Sequence, residues 1–363
     1  MSLLHQIALT GLPGCGAVTA RLLVERFGNA EAIFNTPKAD LLDAGIRKPL
    51  AEAIVQKEGF SRAEEEVAFV EKNGIKTLFY ADKAFPQRLR MCYDTPVLLY
   101  YKGDVDFNAK HIISVVGTRN ATAYGREICD KLIEDLQRFN VLIISGLAHG
   151  IDSLAHRACI KHHVQTAAVL GHGLDRIYPA VNRDLAVKML ENGALLTEFM
   201  SGTNPDRENF PKRNRIIAGL ADATIVVEAA LKGGALITAE LANSYNRDVF
   251  AFPGDVYHEY SAGCNYLIKT NRAALISGIK DLEYILGWTL PEQKPEPKPV
   301  LNLNLSGDEQ TIVDCIEASG LIGIDDLALK TNIPQNKLAM LILELEMQEI
   351  IIAMPGKIYR LAN

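Results

Sequence analysis

Between Glu208 and Gly219 the chain reads Glu-Asn-Phe-Pro-Lys-Arg-Asn-Arg-Ile-Ile-Ala-Gly. This sets a ring (Phe210), three cations (Lys212, Arg213, Arg215) and an amide (Asn214) at the mouth of a predicted helix. From 205 to 216, Arg207, Lys212, Arg213 and Arg215 stand against only Asp206 and Glu208, in a chain whose formal net charge is −6. A flat ring beside guanidinium groups suits a single nucleic-acid strand, because bases stack on the ring while cations follow the phosphates. A solvated basic turn with Phe210 anchored in the core is the other reading of the same residues.

The turns elsewhere in the chain are rich in glycine. Val116-Gly-Thr-Arg119-Asn-Ala-Thr-Ala-Tyr-Gly125 follows an apolar run and leads into a helix near Arg126. Small residues let backbone amides approach a phosphate, a helix N-terminus favours an anion, and Arg119 can clamp it. Ile144-Ser-Gly-Leu-Ala-His-Gly150, Leu170-Gly-His-Gly173 and Lys232-Gly-Gly-Ala235 are three more such turns, which together predict a row of anion sites. A dinucleotide fold would place GxGxxG after its first strand, where this chain has Gly117-Thr-Arg-Asn; there is no Walker A sequence either. Neither NAD, FAD nor nucleotide hydrolysis of that type is expected. His149, Asp152 and His156 fall at i, i+3 and i+7 and could share a helix face as metal ligands. A helix-start Asp and a buried His more often satisfy backbone groups, so no metal or other cofactor is predicted.

These turns need a scaffold. His111–Val116, Val141–Ile144, Gln165–Leu170, Ala194–Leu196, Ala223–Val227, Asp248–Phe252 and Ala273–Ile276 are continuous apolar runs, mostly followed by Gly or Ser and then a helical pattern. Continuity rather than alternation marks strands buried on both faces of a parallel sheet. Repeated βα units predict an α/β chain with a Rossmann-like, doubly wound, mostly parallel sheet over 76–290, its ligands beyond the carboxyl ends of the strands. Residues 76–108 read as a β-rich addition to it. Residues 1–75 open with a helix, a turn at Gly11-Leu-Pro-Gly14-Cys-Gly16 and an amphipathic helix, with a second such unit near Gly45. This predicts a helical helix-hairpin-helix (SAM-like) module. Its first 60 residues hold six basic and six acidic side chains, which favours an accessory role over direct DNA contact.

Pro291-Glu-Gln-Lys-Pro-Glu-Pro-Lys-Pro299 predicts an extended linker over 291–305. Residues 306–363 read as three helices and a short hairpin, a winged-helix outline. Lys330, Lys337, Lys357 and Arg360 face nine acids there, a poor balance for reading DNA phosphates, so protein contact is its expected job. At 363 residues, with 48% hydrophobic and 23% charged side chains, the chain has material for two or three cored domains. Six scattered cysteines without a CxxC pair suit a reducing compartment. No apolar run approaches a membrane span and no basic n-region opens the chain, so a cytoplasmic protein is expected.

Together, Val115–Gly125, Ser145–Asp152, Gly173–Arg183, Glu198-Phe199, Phe210–Gly219 and Phe252-Pro-Gly254 resemble the DprA/Smf family of bacterial DNA-processing proteins. Six ordered motifs cover 76–290 densely, and both flanking modules fit the family's architecture. The resemblance implies a non-enzymatic, single-stranded-DNA-binding protein that forms a homodimer through its Rossmann-like domain. It further implies a protein that protects incoming DNA in natural transformation and loads the recombinase RecA onto it. Carried over by position, Gly117, Thr118 and Arg119 form the phosphate motif, which usually reads Gly-Ser-Arg. Phe210 stacks a base; Arg207, Lys212, Arg213 and Arg215 follow the strand, with Asn214 beside them, and Gly233 and Gly234 add amides. Position 149, often basic in the family, is His here. Position 180, which can be Lys, is Ala, leaving Arg176 and Arg183 as the cations on that side.

Two rivals share parts of this pattern. Lys232-Gly-Gly-Ala-Leu-Ile-Thr-Ala-Glu240 partly matches the PGGxGTxxE signature of lysine-decarboxylase-like hydrolases, which cleave the glycosidic bond of nucleoside monophosphates. Glu240 would then serve acid/base chemistry. A winged-helix transcriptional regulator is the second rival, and the acidic balance of 306–363 weighs against it.

Overall fold

Ile112 to Val116 has no polar face to offer solvent, and the strand it forms is buried at every position. The same holds for Leu142–Ser145, Gly193–Thr197 and Ala223–Val226. A computed structural model describes residues 2–288, 305–348, 350–354 and 357–362. They form two compact units that divide near residue 289.

The first unit is built on a 9-stranded sheet in the order β1-β2-β6-β5-β4-β3-β7-β8-β9. Its strands are β1 (Lys76–Phe79), β2 (Leu98–Gly103), β3 (Ile112–Val116), β4 (Leu142–Ser145), β5 (Gln165–Val169), β6 (Gly193–Thr197), β7 (Ala223–Val226), β8 (Asp248–Ala251) and β9 (Ala274–Leu275). From β6 to β9 every neighbouring pair is parallel. β2 is antiparallel to both β1 and β6, which makes the β-rich addition an extra edge of the same sheet. Each apolar run read as a strand is one. Successive residues of β3 point to opposite faces: Ile113 and Val115 pack with helices Ala123–Leu136 and Ile151–Lys161, while Ile112 and Val116 pack with Asn209–Leu220 and Gly234–Ser244. The sheet is therefore wound on both sides. Ser114, the one hydroxyl inside β3, is satisfied by donating to the Ile217 carbonyl at 2.7 Å.

Residues 3–72 supply six helices: Leu3–Gly11, Ala17–Phe27, Ala30–Asn35, Lys38–Asp43, Lys48–Val55 and Phe60–Lys72. The two predicted hairpins turn at Gly14 and Gly45, where φ is +73° and +81°, a region only glycine enters without strain. The core of this module (Ile7, Leu9, Leu23, Ile33, Leu41, Ile54) continues without a break into Phe79, Leu98 and Tyr100 of the sheet edge. The shift in sequence pattern near 75 is thus not a gap in packing. One polar bolt crosses it as well. The buried Glu66 carboxylate accepts from the Ser201 amide at 2.9 Å and from Arg62 Nη2 at 2.6 Å.

The second unit holds helices Gly307–Ser319, Ile324–Thr331 and Gln335–Met347 around Ile312, Ile316, Leu327, Leu338 and Leu345. Strands β10 (Ile322–Gly323), β11 (Ile351–Met354) and β12 (Ile358–Leu361) form an antiparallel sheet in the order β10-β12-β11, the wing. Its first helix starts from a capping box: Ser306 Oγ accepts from the Glu309 amide, and the Glu309 carboxylate accepts from the Ser306 amide. The linker predicted at 291–305 lies, apart from Leu305, outside the described residues.

Candidate nucleic-acid interface

Strand order reverses around β3, which has β4 on one side and β7 on the other. The loops leaving β3 and β7 must diverge, and a crevice opens between them at the carboxyl edge. Here it is a cleft of about 970 Å³. Val116 to Asn120 form one wall, and Lys232, Gly233, Gly234 and Ala235 the other. Arg207, Phe210, Arg213 and Asn214 enter from the mouth of the Asn209–Leu220 helix. Asp152, Tyr178, Glu259 and Tyr260 also line it.

The β3 loop is held from below by Glu228, just past the end of β7. Its backbone carbonyl accepts from the Thr118 amide at 2.7 Å, and the Thr118 carbonyl accepts from the Ile151 amide at 3.1 Å. The buried Glu228 carboxylate accepts from Thr122 Oγ1 at 2.6 Å and from the Thr122 amide at 3.0 Å. Gly125 makes room for it, since a Cβ there would lie 2.0 Å from Glu228 Oε2. The N-terminus of the Ala123–Leu136 helix, read from sequence as an anion site, therefore already holds an anion supplied by the protein. What is left for an external anion is the Gly117-Thr118-Arg119 side of this loop and the start of Gly234–Ser244. There, a Cβ on Gly233 would meet nothing within 4 Å.

The basic segment divides sharply. Residues two apart on a helix point to different sides, and Arg213 and Arg215 do so. Arg213 is only 4% exposed and forms the floor of the cleft. Its Nη1 donates to the Val169 carbonyl at 3.0 Å, its Nε has no partner, and burial lowers its pKa to about 10 against the opposing pull of Asp152. Burial raises the Asp152 carboxyl in turn, with Arg213 pulling it back. Gly146 is required here, because a Cβ would lie 1.6 Å from Arg213 Nη1. Arg215 turns away from the cleft to pair with Glu198 and the Asp94 carbonyl. Lys212 is exposed but outside the lining, as is Arg183 at the start of Arg183–Met189.

Of the residues singled out in sequence, the fold thus gathers Gly117, Thr118, Arg119, Arg207, Phe210, Arg213, Asn214, Gly233 and Gly234 around one cleft. Arg183, Lys212 and Arg215 are not among them, so the predicted four-cation track is not continuous. The exposed cations of the cleft are Arg119, Arg207 and Lys232. Phe210 is half-buried, with its ring against Gly171; the guanidinium carbons of Arg119 and Arg213 each lie 5.9 Å from its centroid.

Sequence reasoning did not single out Asn120, Lys232, Glu259 or Tyr260. Lys232 stood beside the Gly233-Gly234 turn and could have been found by its spacing. Tyr260 and Glu259 arrive through the irregular segment after β8, which carries no local signal. The His149, Asp152, His156 face does not act as one site. His149 is exposed, while buried His156 shares a 2.7 Å hydrogen bond with Thr166 Oγ1, and burial lowers its pKa to about 3. No cluster of three metal-ligating side chains occurs among the described residues. Glu240 lies outside the cleft, paired with Arg272 on the exposed face of its helix.

Comparison with known proteins agrees with this architecture. Residues 76–286 match the family model for DNA recombination-mediator protein A, and residues 294–357 that for the DprA winged helix domain. DNA processing protein DprA of Bacillus subtilis is 40% identical over 212 residues, 58% of this chain and 71% of the relative. Protein Smf of Synechocystis is 35% identical over 314 residues, 84% and 77% of the two chains. Among solved structures, DNA processing protein A of Streptococcus pneumoniae superposes with a TM-score of 0.67 at 31% identity, covering 78% of this chain and 98% of that one. DNA processing protein A of Helicobacter pylori, a structure concerned with its single-stranded DNA binding mode, gives 0.53 at 28% identity, covering 58% and 95%. A Rossmann-like sheet with this cleft, a winged helix following it in the sequence and relatives of this closeness place the chain in the DprA/Smf family, that of DNA recombination-mediator protein A.

Proposed function

We propose that the protein binds single-stranded DNA across the carboxyl-edge cleft, protects incoming DNA there and hands the strand to RecA during natural transformation. The observation that carries this reading is the joint placement of exposed Arg119, Arg207 and Lys232 with the Phe210 ring around one open cleft. Cations take the phosphates and rings take the bases, a combination that ignores sequence and weakens with salt. The relative from Helicobacter pylori, studied for its single-stranded DNA binding mode, supports the choice of ligand. The protein acts in this reading as a non-enzymatic homodimer in the cytoplasm. Among the described residues, no helix is long and apolar enough to cross a membrane.

The hydrolase rival finds less support, because its carboxylate, Glu240, is tied to Arg272 away from the cleft. The regulator rival needs a winged helix that attracts DNA, and the acidic balance of residues 306–363 opposes that. One assay addresses both steps of the proposal. RecA filament growth on a strand coated with single-strand-binding protein is followed with and without this protein, after direct binding to strand and duplex. Preferential strand binding with faster nucleation is the expected result. Equal binding to strand and duplex would overturn the ligand assignment, and strand binding without any gain in nucleation would overturn the loading role.

A further inference from the structure

Phe210 offers limited stacking surface. Its ring is half-buried against Gly171, where a Cβ would come within 3.1 Å of Cδ1, and two guanidinium groups lie near it. Next to it in the same lining stands Tyr178, 49% exposed, with ring centroids 5.9 Å apart and planes inclined by 38°. At that distance and tilt the rings do not lie flat on one another. They stand as two inclined walls within the lining of the cleft.

An exposed aromatic on a mobile turn would mean little. Tyr178 is not on one. Its neighbour Ile177 packs into the small core under the loop, and Pro179 is buried. Arg176 clamps the loop by donating to Asp175 Oδ2 at 2.8 Å and to Asn204 Oδ1 at 2.5 Å. Asn182, three residues past the buried proline, is fixed by its own donation to the Leu147 carbonyl at 2.9 Å. The fold thus holds an apolar ring toward water at a cationic cleft, where burying it would have been favourable. A rigid, exposed ring beside cations is the arrangement that takes an unpaired base.

We propose that Tyr178 forms a second base-stacking subsite beside Phe210, so that the cleft takes two nucleobases rather than one. This rests on the single-strand reading above. The ring supplies the binding, and the hydroxyl contributes little.

The test uses the full chain and oligothymidylate carrying an abasic gap walked along the strand. Wild type, Tyr178→Ala, Tyr178→Leu, Tyr178→Phe and Arg119→Ala are compared, with thermal melting as the check on folding. Tyr178→Ala and Tyr178→Leu are expected to bind about tenfold more weakly with an unchanged salt slope. Tyr178→Phe should stay near wild type. One abasic position that penalises wild type should cost the Ala and Leu variants nothing. Wild-type affinity in both of those variants, with binding lost in Arg119→Ala, would overturn the subsite and leave the single-strand reading standing. A flattened salt slope in Tyr178→Leu would likewise overturn stacking. No strand binding by wild type at low salt would overturn both.

Discussion

Arg213 and Arg215 show what single residues can and cannot disclose. Both were legible as cations near a ring, and neither as a buried group with its own partner. Helix phase sends one under Phe210 and the other to Glu198, and no local pattern announces Val169 or Asp94 as their acceptors. The two arginines therefore play structural parts that their type alone does not show. Arg213→Ala removes the donor to the buried Val169 carbonyl and the nearby cation that opposes the upward shift of Asp152, and a buried polar group left without its partner costs about 1–3 kcal/mol. Urea unfolding should show that loss; an unshifted midpoint would mean that Arg213 contributes nothing to stability. Phe210→Ala should weaken strand binding roughly 5- to 150-fold, following about 1–3 kcal/mol per stacked base. Its salt slope should match wild type, because a ring releases no counterions, and a slope reduced as in a cation variant would contradict stacking. His156 makes a pH-dependent contribution. Its folded pKa, about 3, lies below the usual 6.5, so the unfolded chain binds the extra proton in between. The stability it contributes is complete above pH 6.5 and lost as pH falls toward 3. His156→Leu should flatten that acid limb in a series of thermal melts, and an unchanged limb would show that other groups set it.

Elements were easier to read than residues. The central strands announced themselves as uninterrupted apolar runs, because a strand covered on both faces has no polar side to display. The turns between them were legible as glycine-rich but not in their occupancy. The helix N-terminus after β3 has the right chemistry for an anion, and the fold fills it with Glu228, more than 100 residues away in sequence. Only the three-dimensional pairing of β3 with β7 brings that carboxylate under Thr122. Gly125→Ala tests the arrangement. The added methyl would strike the carboxylate, and the 117–122 loop would shift. Strand binding should fall about tenfold or more, since a small misplacement of a positioned group can cost that much. Glu228→Gln with Gly125 kept should cost less, because the amide still accepts one hydrogen bond from Thr122. Wild-type binding by Gly125→Ala would show that the Glu228 support does not position the loop.

At the scale of the whole molecule, composition marks the pieces and blurs one seam. The sequence pattern divides the helical module from the sheet at about residue 75. Their cores merge through Phe79, Leu98 and Tyr100, and Glu66 ties the module to Ser201, in the loop leading to Arg207 and Phe210. No pattern within residues 1–75 encodes that contact, because its partners lie across the chain. In the second unit the outer face of Gln335–Met347 carries exposed Met340, Leu343 and Met347 beside Glu344 and Glu346, and Lys337 is paired with Asp308. That face has little to attract phosphates. The double variant Lys330→Ala, Lys337→Ala should leave duplex affinity unchanged in a gel-shift assay, and a collapse of duplex binding would revive the regulator reading. The central claim remains the cleft. Fluorescence anisotropy of wild type and Arg119→Ala, with single-stranded and duplex oligonucleotides across a salt series, tests it most directly. The account predicts strand preference in wild type and a large loss in the mutant. The slope of log affinity against log salt should fall by about 0.7, as expected for one phosphate contact on a single strand. Equal affinity of the two proteins, with identical slopes, would remove Arg119 from the interface and contradict the account.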